Sequence, residues 1–252
     1  MAGLQFNKKQ YRVKIVGRNL DDLRPLLKMF PVKLVETEPD LVISYGGDGS
    51  LLGAERDFPG VPKCPIRDMR QNPKCPRHSD MTTLEKLFSG ELSETQLVKM
   101  VATTNDGNTL KGINDIVLSR KLIASAIRYR IWANGELLRS QVVADSLVVS
   151  TPFGSTGYFQ SITHGNFQVG LGVAFNNAMD LYSHVIIPDN SQLTVELLRG
   201  PAVLVADNDP QSFELGTGSR LRIGISNERT SVYGLDVFRC MDCYDLRKKG
   251  IN

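Results

Sequence analysis

Apolar and polar positions alternate through YRVKIVG (11–17), then fall at helical spacing in LDDLRPLLKMF (20–30). VKLVE (32–36) and DLVISY (40–45) read as two further short strands, and this alternation predicts an α/β layer with a parallel, Rossmann-like sheet. Residues 59–81, PGVPKCPIRDMRQNPKCPRHSDM, hold five prolines and no periodicity, which predicts a surface loop, ordered in itself or tied by a metal. A helix over 82–101, broken near Gly90, is expected next.

From about residue 109 the spacing shortens to closely set strands. INDIVLSR (113–120), SAIRYRIWANGELLRSQVV (125–143), SLVVST (146–151), HVIIP (184–188), SQLTVELL (191–198), PAVLVAD (201–207), SRLRIGIS (219–226) and TSVYGLDVF (230–238) all read as strands. Asn134-Gly135, flanked by alternating runs, predicts a two-residue hairpin turn with positive φ at both positions. The pattern therefore divides the chain into an α/β part over 1–105 and a β-rich part over 106–235.

Composition changes this picture little. The 252 residues are 41% hydrophobic and 23% charged, as expected for a globular chain able to bury a sizeable core. The 30 basic against 27 acidic residues leave +3, and the densest basic groups (Lys8-Lys9 with Arg12 and Lys14, Arg128 with Arg130, Arg247-Lys248-Lys249) read as solvated faces, so no nucleic-acid partner is expected. No apolar run approaches the roughly 18 residues of a membrane span and the start lacks a signal-peptide core, so a cytoplasmic protein without a membrane partner is expected. In that compartment Cys64, Cys75, Cys240 and Cys243 are thiols or metal ligands rather than disulfides.

Chemistry concentrates in two stretches. The run LVISY ends on Gly46-Gly47-Asp48-Gly49-Ser50, where glycines let the backbone approach a phosphate and point N–H groups at it. A carboxylate among them would repel phosphate unless a divalent ion intervenes or unless it takes a proton from an attacking hydroxyl. A tight Gly-Asp-Gly turn is the competing structural reading, and on this loop alone sugar kinases, lipid kinases and NAD kinases are not separated. The second stretch, DSLVVSTPFGSTGYFQS (145–161), runs a buried strand into hydroxyls, small residues and Tyr158, a combination suited to ribose, adenine and a stacking face. Taken by itself it also fits a Ser/Thr-rich turn.

In combination, GGDGS, then KGINDIVL, then DSLVVSTPFGSTGY, with the late PAVLVADND, resembles the NAD kinase family over most of the chain. The resemblance implies a two-domain fold, an α/β N-terminal domain completed by 236–252 plus an all-β C-terminal domain, with NAD in the crevice between them. It implies transfer of the γ-phosphoryl of ATP to the adenosine-ribose 2′-hydroxyl of NAD, with Mg²⁺ or another divalent cation, by a homodimer or homotetramer built through the β-rich domain.

Residue by residue, the resemblance makes Asp48 the group that orients or deprotonates the hydroxyl, with Gly46, Gly47, Gly49 and Ser50 leaving room for phosphates. Asn114-Asp115 matches an Asn-Glu pair on the adenosine side. Thr156, Gly157 and Tyr158 match positions at the adenosine, Asp145 and Ser161 match positions near the nicotinamide, and Asp207 matches a late acidic position. His164 would border the nicotinamide pocket, while His184 opens a strand. Several residues depart from the family pattern: Phe153 for Thr or Ser, Gly157 for Ala, Ser146 and Asn208 for Gly, and CPIRDMRQNPKC in place of GINxGxLGFL. These departures bear on the acceptor rather than on the reaction. They keep open a same-fold kinase for another nucleoside, sugar or lipid hydroxyl, and a dinucleotide-binding protein without catalysis.

Cys75-Pro-Arg-His78 and Cys240-Met-Asp-Cys243 each have the spacing of a pair that grips one metal ion. Together they would complete a tetrahedral structural Zn²⁺ site if the chain end returns to the first domain, a return the family resemblance implies. The alternative is free thiols, buried or exposed.

Overall fold

The computed structural model describes residues 10–68, 70, 75–179 and 182–249. Lys8, Lys9 and part of the proline-rich stretch lie outside them. The chain forms two compact units, one of residues up to Leu97 together with those from Arg229 onward, the other Val98–Glu228. No helix among the described residues is long and apolar enough to cross a membrane.

The first unit opens with β1 (Tyr11–Gly17), α1 (Leu20–Leu27), β2 (Val32–Leu34), β3 (Leu41–Tyr45), α2 (Asp48–Asp57), β4 (Lys63–Ile66) and α3 (Asp80–Ser89). Its strands pair in parallel in the order β2-β1-β3-β4. All five residues of β3 are buried, as a strand covered on both faces requires. Gly17 lets the end of β1 lie against β3: its φ is 125°, and a Cβ there would stand 2.0 Å from the Tyr45 carbonyl oxygen.

Two expectations for this unit are corrected. Within the stretch expected to be a loop, KCPI forms the buried strand β4, which Pro65 disguises. A strand from the end of the chain adds a rung to β4 only at Lys63, so Pro65 with its missing N–H lies past that rung. The helix expected over 82–101 stops at Ser89. Ser79 caps its start by accepting the Thr82 N–H at 3.1 Å, and Gly90 ends it in the left-handed region. Residues beyond Gly90 instead form β5 (Glu94–Thr104), whose Thr and Val residues suit a half-buried strand that runs on into the second unit.

The second unit continues with β6 (Thr109–Gly112), β7 (Asp115–Arg120), β8 (Ile127–Ala133), β9 (Glu136–Ala144), β10 (Ser146–Ser150), α4 (Tyr158–Thr163), β11 (Leu171–Asn176), β12 (His184–Ile187), β13 (Leu193–Arg199), β14 (Ala202–Ala206), β15 (Phe213–Leu215) and most of β16 (Arg220–Tyr233). One antiparallel sheet has the order β12-β11-β10-β7-β14-β15. A second antiparallel group joins β16, β13, β8 and β9. Side chains from both, such as Leu118, Tyr129, Val149 and Val195, share one apolar core. The expected hairpin is present: Asn134 and Gly135 have φ of 51° and 84°.

The runs expected as two strands over 219–226 and 230–238 are one strand, β16, to Tyr233. After it Gly234 takes a left-handed turn and GLDVF winds into α5 (Leu235–Phe238), followed by α6 (Met241–Lys249).

Candidate active site

In the first unit the glycine loop joins β3 to α2. Gly46 has a φ of 147°, a left-handed value, and a Cβ there would stand 2.3 Å from Ser50 Oγ. Gly47 precedes the helix, so Asp48 opens it and sits at the positive end of its dipole. Two guanidinium groups approach Asp48: Arg67 Nη2 lies 3.4 Å from both carboxylate oxygens and Arg239 Nη2 lies 3.7 Å from Oδ1. The Asp48 side chain is 47% exposed, against 12% for Arg67 and 26% for Arg239.

Arg67 is fixed from below. Its guanidinium stacks 3.9 Å over the Phe238 ring, and its Nε donates to the Phe238 carbonyl at 3.3 Å. Burial lowers the Arg239 pKa, and the Asp48 charge pulls the other way. Neither arginine was expected from the motifs. The available signal is positional: Arg67 directly follows the apolar strand KCPI, just as the glycine loop follows LVISY.

In the second unit three strand ends meet. The ladder pairs Asp115 of β7 with Ser150 of β10 and pairs Ile116 with Ala206 of β14, bringing Asn114, Asp115, Thr151 and Asp207 together. The Asp207 carboxylate accepts backbone N–H groups of Ile113 (2.9 Å), Asn114 (2.8 Å) and Asp115 (3.1 Å). Asn114 Nδ2 donates to Asp115 Oδ2 at 2.8 Å. Burial first, then the neighbouring Asp207 charge, pushes the Asp115 pKa up to about 7, with the Asn114 hydrogen bond opposing. Burial likewise raises Asp207 against the pull of its three N–H donors.

The hydroxyl-rich turn clamps the same peptide. Thr151 Oγ1 donates to the Ile113 carbonyl at 2.6 Å, and Gly154 packs so closely that a Cβ would stand 2.0 Å from the Asn114 carbonyl oxygen. A Cβ on Gly157 would stand 3.3 Å from Asn114 Nδ2. Thr156 is exposed and Phe153 is buried.

Tyr158 points its hydroxyl elsewhere, to Ser146 Oγ (3.3 Å) and to the donor Asn176 Nδ2 (3.0 Å). Ser161 donates to the Tyr158 carbonyl, and Asp145 pairs with Arg120 at 3.0 Å and accepts from Asn177. Asp145 and Ser161 line one open groove of about 510 Å³ with Asn176, Asn177 and Tyr182. His164 is the exposed left-handed residue closing α4, and His184 sits edge-on to Phe159.

A third cluster lies in the first unit. The ligand atoms of Cys75, His78, Cys240 and Cys243 all fall within 4.8 Å of one another. Cys64, by contrast, is a buried core residue of β4.

The family model for the ATP-NAD kinase C-terminal domain matches residues 113–235. An NAD kinase of Cytophaga hutchinsonii is 28% identical over 77% of this chain, which spans 67% of that protein; one of Neisseria gonorrhoeae is 30% identical over 69% of this chain and is spanned to 62%. In fold, the chain is similar to yeast NADH kinase complexed with NADH (TM-score 0.76, 14% identity, covering 97% of this chain and 88% of that one). It is similar to nearly the same degree to an Archaeoglobus fulgidus NAD kinase in complex with ATP (TM-score 0.74, 17% identity, 94% and 98% covered). The family model thus falls on the second unit, and proteins named NAD kinase are similar to this chain over as much as 77% of its length.

Proposed function

We propose that this kinase moves the γ-phosphoryl group of ATP to the 2′-hydroxyl on the adenosine ribose of NAD, giving NADP and ADP. The observation that carries the reading is Asp48, a half-exposed carboxylate at the first turn of α2 with two arginines beside it. Asp48 accepts the hydroxyl proton as that oxygen bonds to the γ-phosphorus and the bond to the β–γ bridging oxygen breaks. Arg67 and Arg239 supply fixed positive charge where phosphate charge develops. In the second unit, Asn114, Asp115, Asp207 and the 151–158 turn are the residues that hold the adenosine, and Asp145 and Ser161 those nearer the nicotinamide.

A divalent cation fits this donor set as a companion of the nucleotide. Asp48, the half-exposed carboxylate of the glycine loop, would hold it, while Asp68 is buried and already accepts from Asn19 Nδ2 and the Arg70 N–H. When bound, Mg²⁺ would offset phosphate charge. The reading also includes a cytoplasmic homo-oligomer formed through the β-rich unit.

The test incubates the protein with ATP, Mg²⁺ and a panel of NAD, NADH, nucleosides, sugars and diacylglycerol, and maps the phosphorylated position by mass spectrometry. A 2′-phosphorylated NAD supports the proposal. A product from another hydroxyl favours the second kinase reading, which the replaced stretch carrying Arg67 motivates, and tight NAD binding without any product favours a sensor.

A further inference from the structure

Cys75 Sγ stands 3.3 Å from His78 Nδ1 and 3.5 Å from Cys243 Sγ, and Cys243 Sγ stands 3.5 Å from the same nitrogen. A zinc ion with ordinary Zn–S and Zn–N bonds sets its tetrahedral ligand atoms about 3.5–3.8 Å apart, and these separations lie within a few tenths of an ångström of such a shell. They do not match a disulfide, whose sulfurs are about 2.05 Å apart. None of the four cysteines is in a disulfide.

The ligands come from two short turns. Cys75 and His78 bracket a single 3₁₀ turn over Pro76–His78, and Cys240 and Cys243 bracket the first turn of α6. Three thiols and one imidazole make a soft, mixed donor set that favours Zn²⁺ over Mg²⁺ or Ca²⁺. Binding exchanges three thiol protons, released to solvent, for three Zn–S bonds, with no change of oxidation state.

Of Met241–Leu246 only Cys243 is buried, while Met241, Tyr244 and Leu246 are exposed. An amphipathic helix docks through an apolar stripe, whereas over Met241–Leu246 the one buried residue is a cysteine. Arg77 and Asp242 form an ion pair across the same junction, but both are exposed, which makes it a weak clasp.

The residues just before α6 are those that surround Asp48. Phe238 carries the Arg67 guanidinium on its ring, Arg239 approaches Asp48, and Cys240 follows directly. Arg67, His78, Phe238 and Cys243 also line one small cavity of about 10 Å³. We propose that Cys75, His78, Cys240 and Cys243 hold one structural Zn²⁺, which fastens the start of α6 to the 75–78 turn and so positions Arg67 and Arg239 at Asp48. The second half of this statement rests on the phosphoryl-transfer reading; the first does not.

The experiment separates them. Full-length protein purified without added metal is expected to carry about one zinc per chain by plasma mass spectrometry. Exchange of the metal for Co²⁺ should give the intense visible bands of tetrahedral cobalt and thiolate-to-cobalt charge transfer. Cys243→Ser should lose the metal, Cys64→Ser should keep it, and His78→Cys, which offers four sulfurs, should keep it with a shifted cobalt spectrum. Stripping the metal should raise amide exchange across 238–246, and Zn²⁺ should restore protection. Less than about a tenth of an equivalent of metal, with amide exchange unchanged by chelator, overturns the site. If the site fills but stripping leaves both that exchange and the phosphoryl-transfer rate within about twofold, the positioning role is overturned while the metal site stands; a loss of about tenfold or more supports it. A protein inactive even with zinc bound refutes the phosphoryl-transfer reading, and the metal content and cobalt spectrum still decide the site.

Discussion

Replacing Asp207 probes the junction of β7, β10 and β14 at its most loaded point. Its carboxylate accepts three backbone N–H groups, from Ile113, Asn114 and Asp115, and Ile113 is wholly buried. Asp207→Ala leaves all three donors without that acceptor. An orphaned buried donor costs about 1–3 kcal/mol, so the gross loss for three is about 3–9 kcal/mol. Against this, removing the Asp207 charge relieves its repulsion of Asp115, worth about 1–2 kcal/mol at this burial. The net expectation is a destabilisation of about 1–8 kcal/mol for Asp207→Ala. Asp207→Asn keeps the Oδ1 position, which serves Asn114 and Asp115, and turns an NH₂ toward Ile113; it should cost about 2 kcal/mol less than the alanine.

The same pair fixes a pH dependence with a definite sign. Asp115 titrates near 7 in the folded chain against an ordinary 3.8. A folded pKa above the unfolded one means the native state binds the proton more tightly, so stability from this group is present at low pH and is lost as pH rises from about 4 to 7. The slope is at most about 1.4 kcal/mol per pH unit. Urea denaturation of wild type, Asp115→Asn and Asp207→Asn from pH 4 to 8 tests it. The difference between wild type and Asp115→Asn should move in favour of the asparagine with rising pH, and removing the Asp207 charge should narrow the window. A flat difference curve, or an Asp207→Ala cost below about 1 kcal/mol, refutes the reasoning.

Gly154→Ala should cost about 1–3 kcal/mol or more and impair acceptor binding, because its Cβ would stand 2.0 Å from the Asn114 carbonyl; Gly165→Ala, whose nearest neighbour is 4.0 Å away, is the control, with calorimetry and acceptor titration as readouts. Glu55→Ala should destabilise the first unit by about 3–5 kcal/mol, since Lys63 is wholly buried in its ion pair with Glu55; the double variant Glu55→Gln with Lys63→Met should recover most of the loss in urea titrations.

What the sequence made legible was what local chemistry determines. Asn134-Gly135 demanded a turn with positive φ and produced one, and the CxxH and CxxC spacings marked four residues that the fold brings together. Signals that depend on tertiary context were hidden. KCPI looked like loop because of Pro65, and its place between two strands made it β4. Residues 91–101 carry a plausible helical period, but the left-handed Gly90 and the neighbouring β6 turned them into β5. LGVAFN is too short and bland to announce β11. The motifs identified Asp48 but not its arginines, because Arg239 reaches it from the far end of the chain and Arg67 sits in the stretch where the family pattern is replaced.

The central claim is that Asp48 accepts the proton of the acceptor hydroxyl. Single-turnover phosphorylation of NAD by Asp48→Asn, run beside a calorimetric titration of NAD, tests it most directly. The account predicts a rate lower by about 10²- to 10⁴-fold with NAD affinity within about threefold of wild type. A variant that keeps more than about a tenth of the wild-type rate contradicts it.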